Sequence, residues 1–136
     1  TETELNEKLD RVDDAVRATK SAISEGFIPG GGAALLNISL MDLDKEPTYK
    51  DGFMAVLGAI KKPFLQICEN AGVDYETVQY DPSKKRMGYN VLSGKVEDMV
   101  ESGIIDSTKA IRCALVNAAS VAGMFITSEC SIITIH

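Results

Sequence analysis

The stretch Glu25-Gly26-Phe27-Ile28-Pro29-Gly30-Gly31-Gly32-Ala33-Ala34-Leu35-Leu36 decides how the rest of the chain is read. A helical pattern runs into Gly26, and a second apolar pattern starts at the three glycines. Glycine after a helix supplies the left-handed residue that closes it. Three glycines ahead of a helix leave backbone N–H groups bare, with no side chain to hold a ligand off. Such a turn suits a phosphate or the edge of a nucleotide, although many glycine-rich turns are only turns.

Upstream, Thr1-Glu2-Thr3-Glu4 has capping-box spacing, and Leu5, Leu9, Val12, Val16 and Ile23 fall on one helical stripe. At ~100° per residue Asp14 lies on roughly the opposite side, among the small residues Ala15, Ala18 and Ala22. Small residues beside a lone carboxylate point to a close packing surface or the wall of a cleft. The plain alternative is a solvated aspartate.

Downstream, residues 33–40 continue as a short apolar helix, and the polar segment 41–48, with Pro47, reads as a surface loop. Phe53, Leu57, Ile60, Phe64, Ile67 and Ala71 follow a 4-3-4-3-4 rhythm closed by Gly72, a helix that Pro63 kinks or divides. Asp74 caps a short helix over 73–80, and 81–86 form a turn with the basic cluster Lys84-Lys85-Arg86. Residues 87–92 read as a strand, with Ser93-Gly94 as the turn before Lys95-Val96. A short helix over 96–102 ends at Gly103. Asp106 or Ser107 then caps the longest helix, whose residues Ile111, Leu115, Val121, Phe125 and Ile126 belong to a broad apolar face. Residues 131–136 read as a terminal strand in need of a partner edge.

The 136 residues suffice for one domain with a modest core, and 45% hydrophobic with 25% charged residues is ordinary for a folded chain. A net charge of −6 argues against a nucleic-acid surface. Cys68, Cys113 and Cys130 lie far apart and show no CxxC spacing, so they read as buried thiols of a reducing compartment, without a disulfide framework or a zinc site. The one histidine, His136, argues against a histidine-based catalytic centre. The uncharged segment 113–128 is short and carries Asn117, Ser120 and Gly123, so it reads as a buried helix and not a membrane span. A chain that starts at Thr1 in mid-pattern suggests a piece of something larger.

Taken together, several motifs resemble the last quarter of a group I chaperonin. They are Arg11-Val12-Asp13-Asp14-Ala15 with Ala18-Thr19, Glu25-Gly26, and Gly30-Gly31-Gly32 with Ala34-Leu35. Further on come Gly88-Tyr89-Asn90, Met99 with Gly103-Ile104-Ile105-Asp106 and Thr108-Lys109, and Ala118-Ala119-Ser120-Val121-Ala122-Gly123 with Glu129-Cys130. Each is weak alone; in this order, and at near-family spacing, the set is specific.

The resemblance implies a mainly α fold: a helical bundle of the equatorial-domain type, with a small β-hairpin and a C-terminal strand. It implies that 1–25 are the returning helix of the intermediate (hinge) domain and 26–136 the C-terminal half of the equatorial ATP-binding domain. Asp14 matches the aspartate that positions the water attacking the γ-phosphate, a reaction that needs an oriented nucleophile more than a strong base. Gly31 matches a glycine that meets the nucleotide through its backbone. Asn90 matches the reader of the adenine edge, with Val91 and Leu92 beside it, Ile104 packs on the ring, and Asp106 hydrogen-bonds the ribose hydroxyls. ATP with magnesium is the implied cofactor set, with the metal ligand in preceding sequence. Implied partners are other subunits in a homo-oligomeric ring, plus a co-chaperonin and unfolded client proteins bound through other domains, but neither nucleic acid nor membrane. The location would be bacterial cytoplasm or an organellar matrix.

This sequence departs from the family pattern in three ways: Val91-Leu92 stand where two alanines are usual, Ser107 stands in place of proline, and the stretch from the glycines to Asn90 is shorter. The 136 residues alone are expected to be inactive. The rival reading is a self-standing helical module that oligomerises through the same bundle.

Overall fold

The computed structural model describes residues 1–40, 48–81, 83–130 and 132. The loop expected over 41–48 falls mostly outside the described residues, as does the expected C-terminal strand. The chain divides into two compact units, Thr1–Gly26 with Ser107–His136, and Phe27–Asp106. It passes from one to the other twice, at 26–27 and at 106–107.

The first unit is made of two long helices. Helix α1 spans Glu2–Glu25, and the capping box forms as expected: the Thr1 hydroxyl accepts from the Glu4 N–H while Glu4 reaches back to the amino terminus. Gly26 closes the helix with φ 83° but ψ −171°, so the chain leaves extended and not in the left-handed helical conformation. Helix α5 spans Thr108–Thr127 and is capped by the Ser107 hydroxyl. At 20 residues it is shorter than the 24 of α1, so it is not the longest helix.

The expectation that 113–128 is buried also fails within this chain, since α5 has no buried residue and Phe125 and Ile126 are 77% and 84% exposed. By length and composition α5 could cross a membrane. The apolar stripe of α1 is uncovered too, with Leu5, Leu9, Val12, Val16 and Ile23 all exposed. The helices meet near Ser21 and Ala22, the half-buried positions of α1.

The second unit holds the core. Strand β1 (Phe27–Pro29) pairs with β4 (Ile105–Ser107), a pairing that the sequence pattern did not announce. After the three glycines, α2 (Ala33–Leu40) turns inward and buries Ala33, Leu35, Leu36 and Asn37. The apolar rhythm of 53–71 is divided as Pro63 requires, into α3 (Lys50–Ile60) and α4 (Lys62–Asn70), with the proline in the first turn of α4 where it needs no hydrogen bond. Leu36, Phe64 and Cys68 form the centre of the core, with Leu65, Val73, Tyr80 and Tyr89 packed around it.

Of the helix expected over 73–80, only a 3-10 turn at Tyr75–Thr77 forms, capped by Asp74. Strands β2 (Met87–Asn90) and β3 (Lys95–Asp98) make the expected hairpin. The helix expected over 96–102 is instead the end of β3 followed by turns, because Val96 to Asp98 are held in the ladder and Gly103 adopts φ 74°. The cysteines are free, but only Cys68 is buried; Cys113 is half-buried and Cys130 exposed, so the expectation of three buried thiols fails.

The glycines yield a stability test. A Cβ on Gly32 would lie 2.9 Å from the Phe64 backbone, at φ +74°, whereas one on Gly123 of α5 meets nothing. Gly32→Ala should cost roughly 2–3 kcal/mol, while Gly123→Ala should be neutral or stabilising by up to ~1 kcal/mol, as measured by urea denaturation.

Candidate functional site

The candidate residues fall into two sets, one in each unit. In the first unit Asp14 sits on the exposed middle of α1. Its neighbour Asp13 is held by Arg17 at 2.6 Å, and Glu7 is held by Arg11 at 2.6 Å. Asp14 has no such partner among the described residues. At the other end of α1, Glu25 takes two hydrogen bonds from Arg112 of α5, at 2.9 and 2.6 Å. The Ser21 and Ser107 hydroxyls lie 2.6 Å apart, and the Thr108 N–H donates to the Gly26 carbonyl. The Arg112 guanidinium holds the Glu25 carboxyl below its ordinary range. A depressed carboxyl pKa stabilises above the unfolded value and loses that contribution as pH falls through the folded one. The α1–α5 link therefore weakens in acid.

In the second unit the remaining candidates are organised by Met99, which is only 1% exposed. Gly30 donates its N–H to the Ile104 carbonyl at 2.9 Å, and Ile104 donates its own N–H to the Met99 carbonyl at 2.7 Å. A Cβ on Gly30 would come within 3.1 Å of the Ile104 and Ile105 backbones, and one on Gly31 within 3.0 Å of Met99 Cε. Gly31, with φ +64°, thus lies on the thioether while its backbone stays uncovered by any side chain of its own. Gly88 on β2 meets the same side chain: a Cβ there would be 2.5 Å from Met99 Cγ and 2.7 Å from the Ala33 Cβ.

Residues two apart on a strand share a face. Asn90 therefore projects from the face that Gly88 turns toward Met99 and α2. Its Oδ1 accepts from the Leu92 N–H at 3.0 Å, and its Nδ2 donates to Glu97 at 2.6 Å. Val91 is half-buried and Leu92 is 93% exposed, so the bulk that replaces the expected alanine at 92 points into solvent.

Asp106, the last residue of this unit, is half-buried, and burial pushes its carboxyl above the ordinary range. The second unit also has an open cavity of about 410 Å³ beside the hairpin, lined by Thr77, Val78, Gln79, Tyr89, Gly94 and Val96. None of the candidate residues lines it. Among the described residues no three His, Cys, Asp or Glu side chains group to hold a metal ion.

A family model described as the TCP-1/cpn60 chaperonin family matches residues 1–135. The chain belongs to that chaperonin family. It is 46% identical over 140 residues to the mitochondrial chaperonin CPN60 of Euglena gracilis, an alignment covering 96% of the chain and 25% of the relative. It also superposes on the crystal structure of a group III chaperonin in the open state, with TM-score 0.70 and 26% identity over 82% of the chain and 25% of that protein. The chain thus spans about a quarter of the length of either chaperonin.

Sequence reasoning named Met99 only as a landmark and missed Glu97 altogether. The hairpin register carried the signal for Glu97: it stands opposite Gly88 and diagonal to Asn90. Asp106 offers a test of sign. A carboxyl whose folded pKa is raised opposes folding increasingly as pH rises from its unfolded to its folded value. Asp106→Asn should raise the thermal midpoint near neutral pH and lose that advantage in acid, as followed by circular dichroism across pH.

Proposed function

We propose that this chain contributes the adenosine-facing wall and the water-positioning carboxylate of the ATPase site in an ATP-driven protein-folding chaperonin. On this reading 1–25 belong to the hinge domain and 26–136 to the equatorial domain. The observation that carries it is the convergence in the second unit. The glycine turn, Ile104 and Asp106 are tied by one short strand pair, and Asn90 emerges on the strand face turned toward that turn.

Each residue type suits its task. The bare backbone at Gly31 admits a polyanion or ribose without a Cβ in the way. The Asn90 amide hydrogen-bonds a base edge. Ile104 lies flat against a purine ring, and the Asp106 carboxylate accepts from vicinal hydroxyls. The cost of holding the Asp106 carboxylate partly buried is then offset when the hydroxyls donate to it. Asp14, without a cation among the described residues while Asp13 and Glu7 have theirs, is free to orient a water. In phosphoryl transfer to water, positioning supplies most of what a protein contributes.

ATP supplies the phosphoryl group, and magnesium would neutralise its developing charge. The described residues hold no cluster of carboxylate, thiol or imidazole groups that fits a metal site. The exposed apolar stripe of α1 and face of α5 are surfaces for the remainder of the subunit and its ring neighbours, since uncovered patches of this kind mark protein contacts. The mitochondrial relative favours an organellar matrix over a bacterial cytoplasm. Co-chaperonin and client proteins would engage other domains.

The test uses the intact subunit. Asp14→Ala should lower ATP turnover by on the order of a hundredfold or more while nucleotide affinity holds within a few-fold. The 136-residue chain alone should show no turnover and should self-associate in sedimentation. Turnover by the short chain that Asp14→Ala abolishes would overturn the reading.

A further inference from the structure

The hairpin joins two residues that no motif connects. Asn90 Nδ2 donates to Glu97 Oε1 at 2.6 Å. Glu97 is itself fixed, because the Ser102 hydroxyl donates to Oε1 at 2.8 Å and the Ser93 hydroxyl to Oε2 at 3.3 Å. On the other side of the amide, the Leu92 N–H donates to Asn90 Oδ1 at 3.0 Å.

The chemistry of these partners decides which way the amide points. A carboxylate only accepts, and a backbone N–H only donates. Turning the amide over would set its oxygen against the Glu97 carboxylate and its NH2 against the Leu92 N–H. One N–H of Nδ2 and one lone pair of Oδ1 remain, without a partner among the described residues. Adenine carries an N–H donor at position 6 beside an acceptor ring nitrogen, whereas guanine carries an acceptor, O6, at that place. The remaining lone pair of Oδ1 thus matches adenine and opposes guanine. An asparagine free to turn over would read either base.

We propose that Glu97 is a positioning residue that sets purine choice: by anchoring the Asn90 amide in one orientation it makes the site accept adenine nucleotides and reject guanine nucleotides. This rests on the assignment of Asn90 to the base edge.

The experiment measures ATP and GTP affinities of the intact subunit by calorimetry for the wild type, Glu97→Gln and Asn90→Ala. Glutamine keeps the size of Glu97 but can donate or accept, so it no longer opposes the turned-over amide, which the Leu92 N–H alone then resists. A lost or mispaired hydrogen bond of this kind changes affinity by about tenfold. The expected result is a preference for ATP over GTP narrowed by about tenfold in Glu97→Gln through a gain for GTP, and weaker ATP binding in Asn90→Ala. Parallel loss of both nucleotides in Glu97→Gln, the mark of a merely structural role, overturns the inference. So does an unchanged ratio in Glu97→Gln while Asn90→Ala still weakens ATP, and in that case the site assignment survives. If Asn90→Ala leaves ATP affinity unchanged, the assignment itself falls and the inference with it.

Discussion

One buried thioether chain holds the glycine turn and the hairpin of this protein together. Met99 fills the space that Gly31 and Gly88 leave open, and its backbone bonds reach Arg86 on one side and Ile104 on the other. An unbranched, polarizable side chain suits an irregular gap between a turn, a strand and a helix start. The packing is reciprocal: either glycine with a side chain would displace Met99, and a smaller residue at 99 would leave the glycine turn without a floor. The positions of Gly31, Ile104 and Asn90 therefore depend on a residue that touches no ligand in the proposed site.

A second constraint is polar. Asn37 is buried on α2, where its Nδ2 donates to the Lys85 carbonyl and its Oδ1 lies 2.7 Å from the Tyr80 hydroxyl, which is also 2.7 Å from the Met87 carbonyl. Burial raises the Tyr80 pKa, so the hydroxyl keeps its proton and remains a donor. A buried amide with satisfied partners specifies one arrangement of neighbours where apolar packing would tolerate several. It ties α2, which follows the glycine turn, to the chain that enters β2. The glycine turn and the hairpin thus share one frame.

Local signals were legible where the physics is local. The capping box at Thr1 and Glu4 was readable, and the break at Pro63 and the cap at Asp106 or Ser107 were narrowed to two readings each, because each depends on residues within a few positions. The hairpin was readable because its turn and alternation are contiguous. The β1–β4 pair was not, since three residues at each end of an 80-residue excursion carry no periodicity to detect. The run 96–102 misled because its acidic residues fit a helix surface, while the ladder to β2 and the Arg86–Asp98 ion pair hold it extended. The apolar residues of α5 were legible as a helix face, but what covers a face is not encoded in the strip itself, and α5 has no buried residue. For the site, residue types at family spacing named Gly31, Asn90, Ile104 and Asp106. The orientation of the Asn90 amide needed the partner across the hairpin.

The bond between the Thr108 N–H and the Gly26 carbonyl has a topological consequence. The polypeptide leaves α1 and re-enters α5 through neighbouring backbone groups, so everything from Phe27 to Asp106 is a closed excursion from a single doorway. Closure entropy grows only slowly with the length of such a loop. Residues can be gained or lost along the excursion without prising the doorway apart.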